Sequence, residues 1–547
     1  MKRKASALLL VMAMCTIIFA GCGNKNKDAT DSANDKTSTS KGAAEDTVDD
    51  NGKVNGLMYK EGLPLVDEGA YSFSIFTDGS SDTGEFYMLN EFKKQTNVDV
   101  ELRLLPYETA KERLNLDLNS GDYADVIGGW TLNDSMILTY GVQQGTFIPL
   151  EDYYEKYCPN ISAILDLPGV RERMTAPDGH IYTIPYICGD TTVGYSPYIN
   201  GKWLENVGME IPKTTEEFEA VLKAFKEKDA NGNGDPNDEI PFSADPNNLH
   251  IEAMTGWFGL PMDRNGLGIK DEKPVYGGVS SEYREFLSWF NSLYEQGLLD
   301  KELYTQDIST WQGKGNKDLY GVSIAYGSSE YTGIPAAKEK GPVDVLPVLN
   351  ADKGGKWLRG SDGFSIFRTQ AVITDNAKNP EVICRWFDNA FELENGLGCA
   401  VGPVGVSVFK EGDRYRAIDK KTLEPDLQEK VSWDNLWPQS LPKYLPAGFK
   451  CLEDVVLYDE KKEMERVYEP NLTKTQIPVN WISLDDIDRY SDISTALEDY
   501  YNQQQALFVT GELDVDDDAQ WQAYVDGLYS LGLEDWVKMR GIEEIAK

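Results

Sequence analysis

The chain is poor in histidine, in positive charge and, for its length, in cysteine. Only two histidines and seven cysteines occur among 547 residues, and 91 acidic residues outnumber 53 basic ones, which gives a net charge of −38. A field of this sign repels phosphate backbones, so we exclude nucleic acid as a partner. It also provides no long-range attraction for strongly anionic ligands, although one local arginine could still hold a carboxylate.

Signatures of several enzymes and of membrane spans are missing as well. No Gly-x-x-x-x-Gly-Lys-Ser/Thr loop is present, so we expect no ATP hydrolysis, and no Gly-x-Ser-x-Gly turn favours serine chemistry. Beyond the N-terminal segment no apolar run is long enough to cross a bilayer, and the body is expected to be soluble. For His180 and His250 we favour surface or structural roles, because one follows a turn and the other lies among Asn and Leu.

The N-terminus carries a targeting pattern. Three basic residues at 2–4 precede an apolar run over 7–20, which ends in small residues before Cys22. This order predicts a secretory signal over 1–21. It resembles the lipobox of bacterial lipoproteins, which implies that Cys22 becomes the lipidated N-terminus, although Phe19 stands where such boxes usually carry Leu. The alternative is an ordinary signal peptide with a chance cysteine.

Residues 22–55 are polar and small, and they predict a disordered tether between an anchor and a folded body. Loss of the basic residues at 2–4 takes the net charge from −38 to −41. The remaining ~490 residues exceed one compact domain and suggest two or three lobes. Five cysteines stay in the body, without metal-ligand spacing, and we interpret them mainly as buried apolar residues. They are Cys158, Cys188, Cys384, Cys399 and Cys451.

Strand-like and helix-like segments alternate along the body, which predicts an α/β fold with parallel strands. We predict strands over 71–76, 98–105, 124–127, 321–326, 343–348 and 364–373. We predict helices over 85–95, 214–228, 281–296, 379–394 and 492–508, and an irregular region over 412–480. Asp178-Gly179 lies between two strand-like segments and predicts a hairpin turn. Trp386 falls inside a predicted helix and is interpreted as a core residue.

A series of short motifs adds a resemblance. They are 120–126 (SGDYADV), 144–150 (QGTFIPL), 178–185 (DGHIYTIP), 212–218 (PKTTEEF), 371–374 (AVIT), 379–381 (NPE) and 511–513 (GEL). In this order and spacing the chain resembles the bacterial extracellular solute-binding proteins of family 1, the maltose-binding-like type. Within that family it is most similar to the large lipoproteins that serve carbohydrate importers.

The resemblance implies a two-lobed, periplasmic-binding-protein-like α/β fold. Each lobe would be a sheet flanked by helices, and a hinge crossed several times would join them. It places the N-terminal lobe at 56–190 plus 345–400, and the C-terminal lobe at 191–344 plus 401–547. It further implies a monomeric, non-enzymatic receptor on the outer face of a bacterial membrane. Such a receptor passes an oligosaccharide, or another polar small molecule, to an ABC permease.

One loop has the composition of a calcium site. Residues 229–239 open like an EF-hand loop, with oxygen side chains at positions 1, 3 and 5 and glycine at position 6. Position 12 is Ile240 rather than the bidentate Glu, and the acids come earlier. The predicted ligands of a structural Ca²⁺ are Asp229, Asn231, Asn233, Asp235, Asp238 and Glu239. The alternative is a plain Asn/Gly turn after a helix.

Ligands of parallel α/β sheets collect beyond the carboxyl ends of strands, and sugars need flat rings and polar partners. Trp130 is the strongest candidate, because it follows a predicted buried strand and two glycines. By resemblance the further candidates are Asp78, Asp134, Tyr195, Trp257, Tyr326, Trp357 and Arg359.

Two other classes stay open. A secreted glycoside hydrolase would need two carboxylates about 5–10 Å apart, which sequence spacing cannot establish. A surface adhesion or peptide-binding lipoprotein would share the anchor and lack the cleft. Incubation with oligosaccharides separates the three classes by binding without product, by product, or by neither.

Overall fold

Two open sheets organise the chain in the computed structural model. The structure describes residues 47–79, 85–188, 192–246, 249–333, 343–360, 365–412, 414–418, 420–445 and 457–547. Cys22, the signal and most of the tether therefore lie outside the described residues. The architecture is α/β, as predicted. Within the described ranges, no helix is both long and apolar enough to cross a membrane.

The first sheet has six strands of mixed direction. In spatial order they are Tyr444–Leu445, Thr183–Cys188, Ser365–Ile373, Val126–Gly128, Tyr71–Gly79 and Val98–Pro106. Only Ser365–Ile373 runs antiparallel to its two neighbours. Five strands therefore end at one edge of the sheet, and the sixth begins there.

The second sheet has four strands. In spatial order they are Val343–Val345, Ser196–Asn200, Tyr320–Ala325 and Ile240–Ala244. The last two are parallel, and Ser196–Asn200 is antiparallel to both of its neighbours. A three-stranded sheet is formed by Glu544–Ile545, Lys273–Tyr276 and Leu267–Lys270. The two hairpins pair Lys53–Val54 with Met58–Tyr59 and Val408–Glu411 with Arg414–Ala417.

Helices cover both sheets. The helices that precede the second sheet in the chain are Tyr87–Thr96, Tyr107–Ser120, Asp134–Met136, Glu151–Tyr157, Pro159–Leu165 and Val170–Met174. A π-helical stretch follows Met136 at Ile137–Gln143. Next come Gly201–Val207, Thr215–Glu227, Ser281–Glu295, Ile308–Gly315, Ser329–Thr332 and the 3₁₀ helix Ile251–Phe258. The remainder are Pro380–Asp388, Leu393–Ala400, Pro425–Lys430, Trp433–Leu436, Leu457–Tyr468, Ile487–Thr510, Asp518–Ser530 and Leu533–Met539.

Each sheet carries its own core. We call the residues packed on the six-stranded sheet the first lobe, and those packed on the four-stranded sheet the second lobe. Trp437 and Leu441 pack in the first lobe together with Val126 and Ile373, whereas Leu346 and Trp357 pack in the second. Residues 346–357 and 431–441 therefore pack with the opposite lobe from the one that the sequence partition gave them.

The chain passes between the lobes several times. It leaves the first sheet at Cys188 and enters the second at Ser196, and it returns between Val345 and Ser365. It crosses again after Leu445, because Met464 packs in the second lobe. Helix Ile487–Thr510 begins in a first-lobe cluster at Ile487 and continues into the second-lobe core.

Two predicted elements differ from the structure. Asp178-Gly179 forms a turn between helix Val170–Met174 and strand Thr183–Cys188, so it does not join two strands of a hairpin. The helix predicted over 379–394 is instead Pro380–Asp388, a 3₁₀ turn at Asn389–Phe391, and a new helix that Glu392 caps through its carboxylate.

Trp386 is fully buried, as predicted. Four of the five body cysteines are buried as well and are free thiols, and Cys451 lies outside the described residues.

Candidate functional site

The two sheets face each other through the edges at which their parallel strands end. The connection from Cys188 to Ser196 is eight residue steps, so it spans roughly 28 Å at most. It leaves the first sheet at its carboxyl edge and enters the second at the edge where Ile240–Ala244 and Tyr320–Ala325 end. Side chains at these two edges therefore line the space between the lobes.

Asp78, on strand Tyr71–Gly79, fixes the turn at 129–131 that follows the adjacent strand Val126–Gly128. It is fully buried, and its carboxylate accepts hydrogen bonds from the N–H groups of Trp130 at 3.0 Å and Thr131 at 2.6 Å, and from the Thr131 hydroxyl. Burial raises the pKa of Asp78, and these hydrogen bonds partly offset that shift. Asp78 thus positions Trp130, and its own carboxylate is covered.

This turn requires glycine at position 129. The residue has a φ of +124°, and a Cβ there would lie 2.6 Å from the Asp78 carboxylate. Any side chain would push the carboxylate away from the N–H groups it accepts from. The pair Asp78 and Gly129 therefore directs Trp130 outward from the sheet edge.

Three aromatic rings form a surface that we call the aromatic shelf: Trp130, Tyr186 and Phe367. The Trp130 ring meets Phe367 edge-on at 5.3 Å and Tyr186 at 6.4 Å, while Tyr186 and Phe367 stack at 5.4 Å. Phe367 and Tyr186 are direct cross-strand partners. Trp130 is 44% exposed and Phe367 is 37% exposed, so the shelf presents ring surface to solvent between the lobes.

A buried lysine lies beneath the shelf. Lys443 is 1% exposed, and its ammonium group lies 4.1 Å from the Tyr186 ring centroid and donates to the Gln439 carbonyl at 2.8 Å. Burial lowers the pKa of Lys443 to about 8. The cation–π contact holds the Tyr186 ring in place from behind.

A strand irregularity fixes the other side of the shelf. The pairing of Ser365–Ile373 with Thr183–Cys188 shifts register between Phe367 and Ala371, as at a β-bulge, which re-aims the side chains there. Arg368 in this stretch donates to Asp134, at 2.9 Å from Nε, and to the carbonyls of Val479 and Asn480 at 3.2 Å. Asp134 therefore serves an ion pair that ties the loop after Trp130 to the strand.

The second lobe contributes a different cluster, which we call the second-lobe cluster: Tyr195, His250 and Tyr326. The Tyr195 and His250 rings stack at 4.4 Å, and Tyr326 meets Tyr195 edge-on at 5.8 Å. Tyr326 directly follows the strand Tyr320–Ala325. Burial, assisted by the charge of Arg264, lowers the pKa of His250 to about 4, so the imidazole is neutral at physiological pH.

The surroundings of Tyr195 include groups of both lobes. The pKa of Tyr195 is raised mainly by burial, with further contributions from Glu330, Asp245 and, from the first lobe, Tyr107. Tyr107 begins a helix directly after the first-lobe strand Val98–Pro106 and is 41% exposed. The cluster therefore combines rings with ionisable groups, and it lies within reach of the first-lobe edge.

The loop at 229–239 folds around its own side-chain oxygens. The Asn231 and Asn233 amides donate to the Asp238 carboxylate at 3.1 and 2.8 Å, and Gly234, with a φ of +95°, donates its N–H to Asp229 at 3.0 Å. No group of three or more His, Cys, Asp or Glu side chains among the described residues is arranged as a metal site. Nevertheless, Asp229 Oδ1 and Glu239 Oε2 are buried and have no hydrogen-bond partner within the described part of the chain, so both oxygens are available to a cation.

The remaining predicted residues lie elsewhere. Trp257 packs 5.5 Å from Phe218, and Trp357 packs 5.3 Å from Tyr468, and both tryptophans are 3% exposed or less. A ligand does not reach rings that the core covers, so we remove both from the candidate site. Arg359 pairs with Glu469 at 3.3 Å and donates to a backbone carbonyl. The structure thus brings Trp130, Asp78, Tyr195 and Tyr326 to the facing edges and places the others in core or ion-pair roles.

Sequence reasoning missed Tyr186, Phe367, Lys443 and the role of His250. Tyr186 and Phe367 become neighbours through the register of two strands that are far apart in the chain. The exposure of Phe367 is visible only in the folded strand, where the residues toward its end are mostly buried. For Lys443, nothing in the irregular region predicted burial.

Comparison with known proteins gives a consistent result. A sequence profile described as bacterial extracellular solute-binding protein matches residues 79–395. The fructooligosaccharide ABC transporter substrate-binding protein FusA of Streptococcus pneumoniae is 28% identical over 98% of this chain and 96% of its own length. The lipoprotein LipO of Bacillus subtilis is 26% identical over 51% of this chain and 55% of its own.

The three-dimensional comparison agrees with this. The structure of an EF-hand mutant of S. pneumoniae FusA in complex with fructo-nystose superimposes with a TM-score of 0.74 at 26% identity. The match covers 86% of this chain and 98% of that one. The predicted two-lobed α/β fold is therefore confirmed.

Proposed function

Because the chain belongs to the bacterial extracellular solute-binding protein family, we propose that it is the receptor of an ABC importer and binds an oligosaccharide between its two lobes. The observation that carries this proposal is the aromatic shelf of Trp130, Tyr186 and Phe367, exposed at the edge that faces the second lobe. The relative FusA, 28% identical, is named as a fructooligosaccharide ABC transporter substrate-binding protein, which supports the same ligand class here.

The proposed mechanism is binding without chemistry. The apolar faces of a sugar lie on the shelf, where the rings are already fixed and lose few rotamers. Tyr195, Tyr326 and the polar groups around them then partner the sugar hydroxyls from the second lobe. These contacts form only when the lobes are close together, so the ligand shifts the population toward a closed form.

We further propose the location and the partners. The signal pattern, Cys22 and the polar tether support a lipid anchor on the outer face of the cell membrane, and LipO is a relative named as a lipoprotein. The closed form then docks, as a monomer, on permease subunits that complete the transporter. The importer would hydrolyse ATP elsewhere.

Calcium is the proposed structural cofactor of the loop at 229–239. The ligand set is Asp229, Asn231, Asn233, Asp235, Asp238 and Glu239. Two buried carboxylate oxygens that have no partner in the described ranges, Asp229 Oδ1 and Glu239 Oε2, support it. Burial raises the pKa of Glu239, and a cation would keep this group charged. FusA has an EF-hand, as its mutant shows by name. Because the loop leads into Ile240–Ala244, the ion would brace the second-lobe sheet.

Titration calorimetry with fructo-nystose and a panel of neutral oligosaccharides tests the receptor proposal. We expect heat of binding for at least one sugar, compaction of the protein in solution scattering, and an unchanged sugar by chromatography. Appearance of shorter sugars would favour a hydrolase, and absence of binding across the panel would favour an adhesion or peptide-binding role.

Calcium binding is tested separately on chelator-treated protein. We expect binding heat and a rise in melting temperature on adding Ca²⁺, and loss of both in Asp229→Asn/Glu239→Gln. Asp271→Asn, an exposed acid in a turn of the same lobe, is the matched control. Equal melting temperatures with chelator and with Ca²⁺ would leave the loop as a plain turn.

A further inference from the structure

One buried arginine connects the two strands of chain that carry the aromatic shelf. Arg368 follows Phe367 in the strand Ser365–Ile373 and is 6% exposed. Its Nε donates at 2.9 Å to the carboxylate of Asp134, which lies four residues after Trp130. The guanidinium group therefore holds the strand that contains Phe367 against the turn that follows Trp130.

The same guanidinium group binds a third segment, at 479–481. Its Nη1 donates to the carbonyl of Val479 and its Nη2 to the carbonyl of Asn480, both at 3.2 Å. The guanidinium carbon lies 4.0 Å from the centroid of the Trp481 ring, and the indole N–H of Trp481 donates to the first-lobe carbonyl of Arg173 at 3.0 Å. The planar fork of arginine permits these hydrogen bonds and the ring contact at the same time, which a lysine ammonium group does not.

The segment at 479–481 lies where the chain passes from the second lobe into the first. Before it, the Thr473 N–H donates at 3.0 Å to the carbonyl of Trp357, a residue of the second-lobe core. After it, Ile482 is buried in a first-lobe cluster, and the helix Ile487–Thr510 then returns to the second-lobe core. A rotation of one lobe against the other must therefore bend the chain on either side of the contacts to the arginine.

We infer that Arg368 is a positioning residue of the receptor, which couples occupation of the aromatic shelf to closure of the lobes. The inference rests on the proposed receptor function and deepens it. A sugar on Trp130 and Phe367 steadies the two segments that hold the guanidinium group, and this group fixes the first-lobe end of the crossing at 479–481. Bending is then confined to the residues outside that anchor, and the bound protein populates the closed form.

A second arginine provides a matched control. Arg284 donates to two backbone carbonyls at 2.9 and 3.1 Å, pairs with Asp518 at 2.9 Å and lies 5.5 Å from the Trp521 ring centroid. These are the same kinds of contact that Arg368 makes. The segments that Arg284 joins both pack in the second-lobe core, so its loss should lower stability without affecting closure.

Calorimetry and solution scattering on Arg368→Lys and Arg284→Lys test the inference. The probe is the neutral oligosaccharide, fructo-nystose or another of the panel, that binds the unmodified protein most tightly. Arg368→Lys keeps the charge and loses the fork. We expect its Kd to rise at least tenfold, and its compaction at saturating sugar to be less than half that of the unmodified protein. Arg284→Lys should change neither quantity, although denaturant titration should show that both variants are destabilised.

A further variant breaks the same link from the side of the shelf. Asp134→Asn removes the carboxylate that pairs with Arg368, and it tests the inference if Arg368→Lys does not fold. We expect weaker binding and reduced compaction here as well. The double variant should lose less affinity than the product of the two single losses, because both substitutions break one interaction.

Each contrary outcome overturns the inference for a different reason. Unchanged Kd and compaction in Arg368→Lys would remove this residue from the mechanism and leave the receptor function standing. An equal loss of affinity in Arg284→Lys would assign the effect to stability alone. Weaker binding of Arg368→Lys with full compaction would limit the arginine to the shelf and disprove the coupling. If no sugar of the panel binds the unmodified protein, the receptor function itself fails, and the inference fails with it.

Discussion

The two edges that face each other differ in chemistry. On the first lobe, Trp130, Tyr186 and Phe367 are neutral rings held from behind by Asp78 and Lys443. On the second lobe, Tyr195 and Tyr326 lie beside His250 and the charged groups Asp245, Glu330 and Arg264. The first-lobe edge offers a preformed aromatic surface, and the second-lobe edge offers hydrogen-bonding and charged groups.

The difference indicates a division of labour. Burial of a sugar face on fixed rings gains apolar contact at little cost in side-chain entropy, so the first lobe should supply most of the affinity. Polar groups that lose water must find partners, so the second lobe should supply most of the selectivity. The open form would then load the first lobe before the second closes on it.

The strongest test of this division is Trp130→Ala. Loss of the shelf's central ring should cost about 2 kcal/mol or more, roughly a 30-fold rise in Kd. Calorimetry with the best sugar of the panel measures the effect. Trp433→Ala is the control, because that ring is 56% exposed and lies on a short helix outside the two edges, and it should leave Kd unchanged. A change below threefold in Trp130→Ala would remove the shelf from the site.

The second test separates the ring from its support. In Asp78→Asn an amide N–H₂ replaces either Oδ1, which accepts the Trp130 N–H, or Oδ2, which accepts the Thr131 N–H, and so leaves one donor of this buried turn without its acceptor. We expect a loss of about 1–3 kcal/mol in the free energy of unfolding and a weaker affinity for sugar. Denaturant titration and calorimetry measure both. Asp99→Asn, at a half-exposed acid on the neighbouring strand that pairs with Lys93 on the surface, should change neither. Unchanged affinity despite lower stability would show that Trp130 does not need this turn.

Much of the fold followed from local sequence. Helix Thr215–Glu227 begins where Thr214 accepts the Glu217 N–H, as the Thr-Thr-Glu-Glu pattern predicted. The strands Tyr71–Gly79 and Val98–Pro106 lie within a few residues of their predicted limits. Such elements are set by capping and by apolar spacing, both of which act over a few residues.

The site was predicted less well, because it depends on register and packing between distant segments. Trp130 was found since glycines and a short apolar run flank it. Trp257 and Trp357 were chosen on ring type and resemblance, and nothing local distinguished them from core residues. Phe367 and Tyr186 meet only because two strands pair in one register with a bulge. Pairing of this kind is decided by tertiary contacts.

A third prediction concerns calcium and only one of the two edges. Free Ca²⁺ at ten times its Kd should stabilise the protein by about 1.4 kcal/mol. Because the loop precedes Ile240–Ala244, chelation should speed amide hydrogen exchange near Asp245 and Tyr326. Exchange near Trp130 should not change. Equal acceleration at both edges would show that the ion acts on the whole molecule.

The last prediction concerns the pH dependence of the free energy of unfolding, through a buried glutamate close to the second-lobe cluster. Glu252 follows His250 by two residues and is buried, and burial raises its pKa from 4.5 to about 7. Gln505 donates to Oε1 at 2.7 Å, whereas Oε2 has no hydrogen-bond partner among the residues that the structure describes, and neither do the buried hydroxyls of Tyr304 and Tyr501. The folded state therefore binds a proton more tightly here than the unfolded state.

The sign of the effect follows from that difference. Glu252 costs no stability below pH 4.5, costs more as the pH rises through 7, and costs a constant amount above it. Glu252→Gln removes the charge and keeps the acceptor for Gln505. We expect the gain in the free energy of unfolding to be larger at pH 8 than near pH 4.5 by at least about 1 kcal/mol, because the amide does not titrate and its own desolvation cost is the same at both pH values. Denaturant titrations at both pH values measure it. Glu282→Gln, in an ion pair with Lys270, should show no such gain at pH 8. A gain of the same size at both pH values would mean that packing, rather than the buried charge, limits the stability of this lobe.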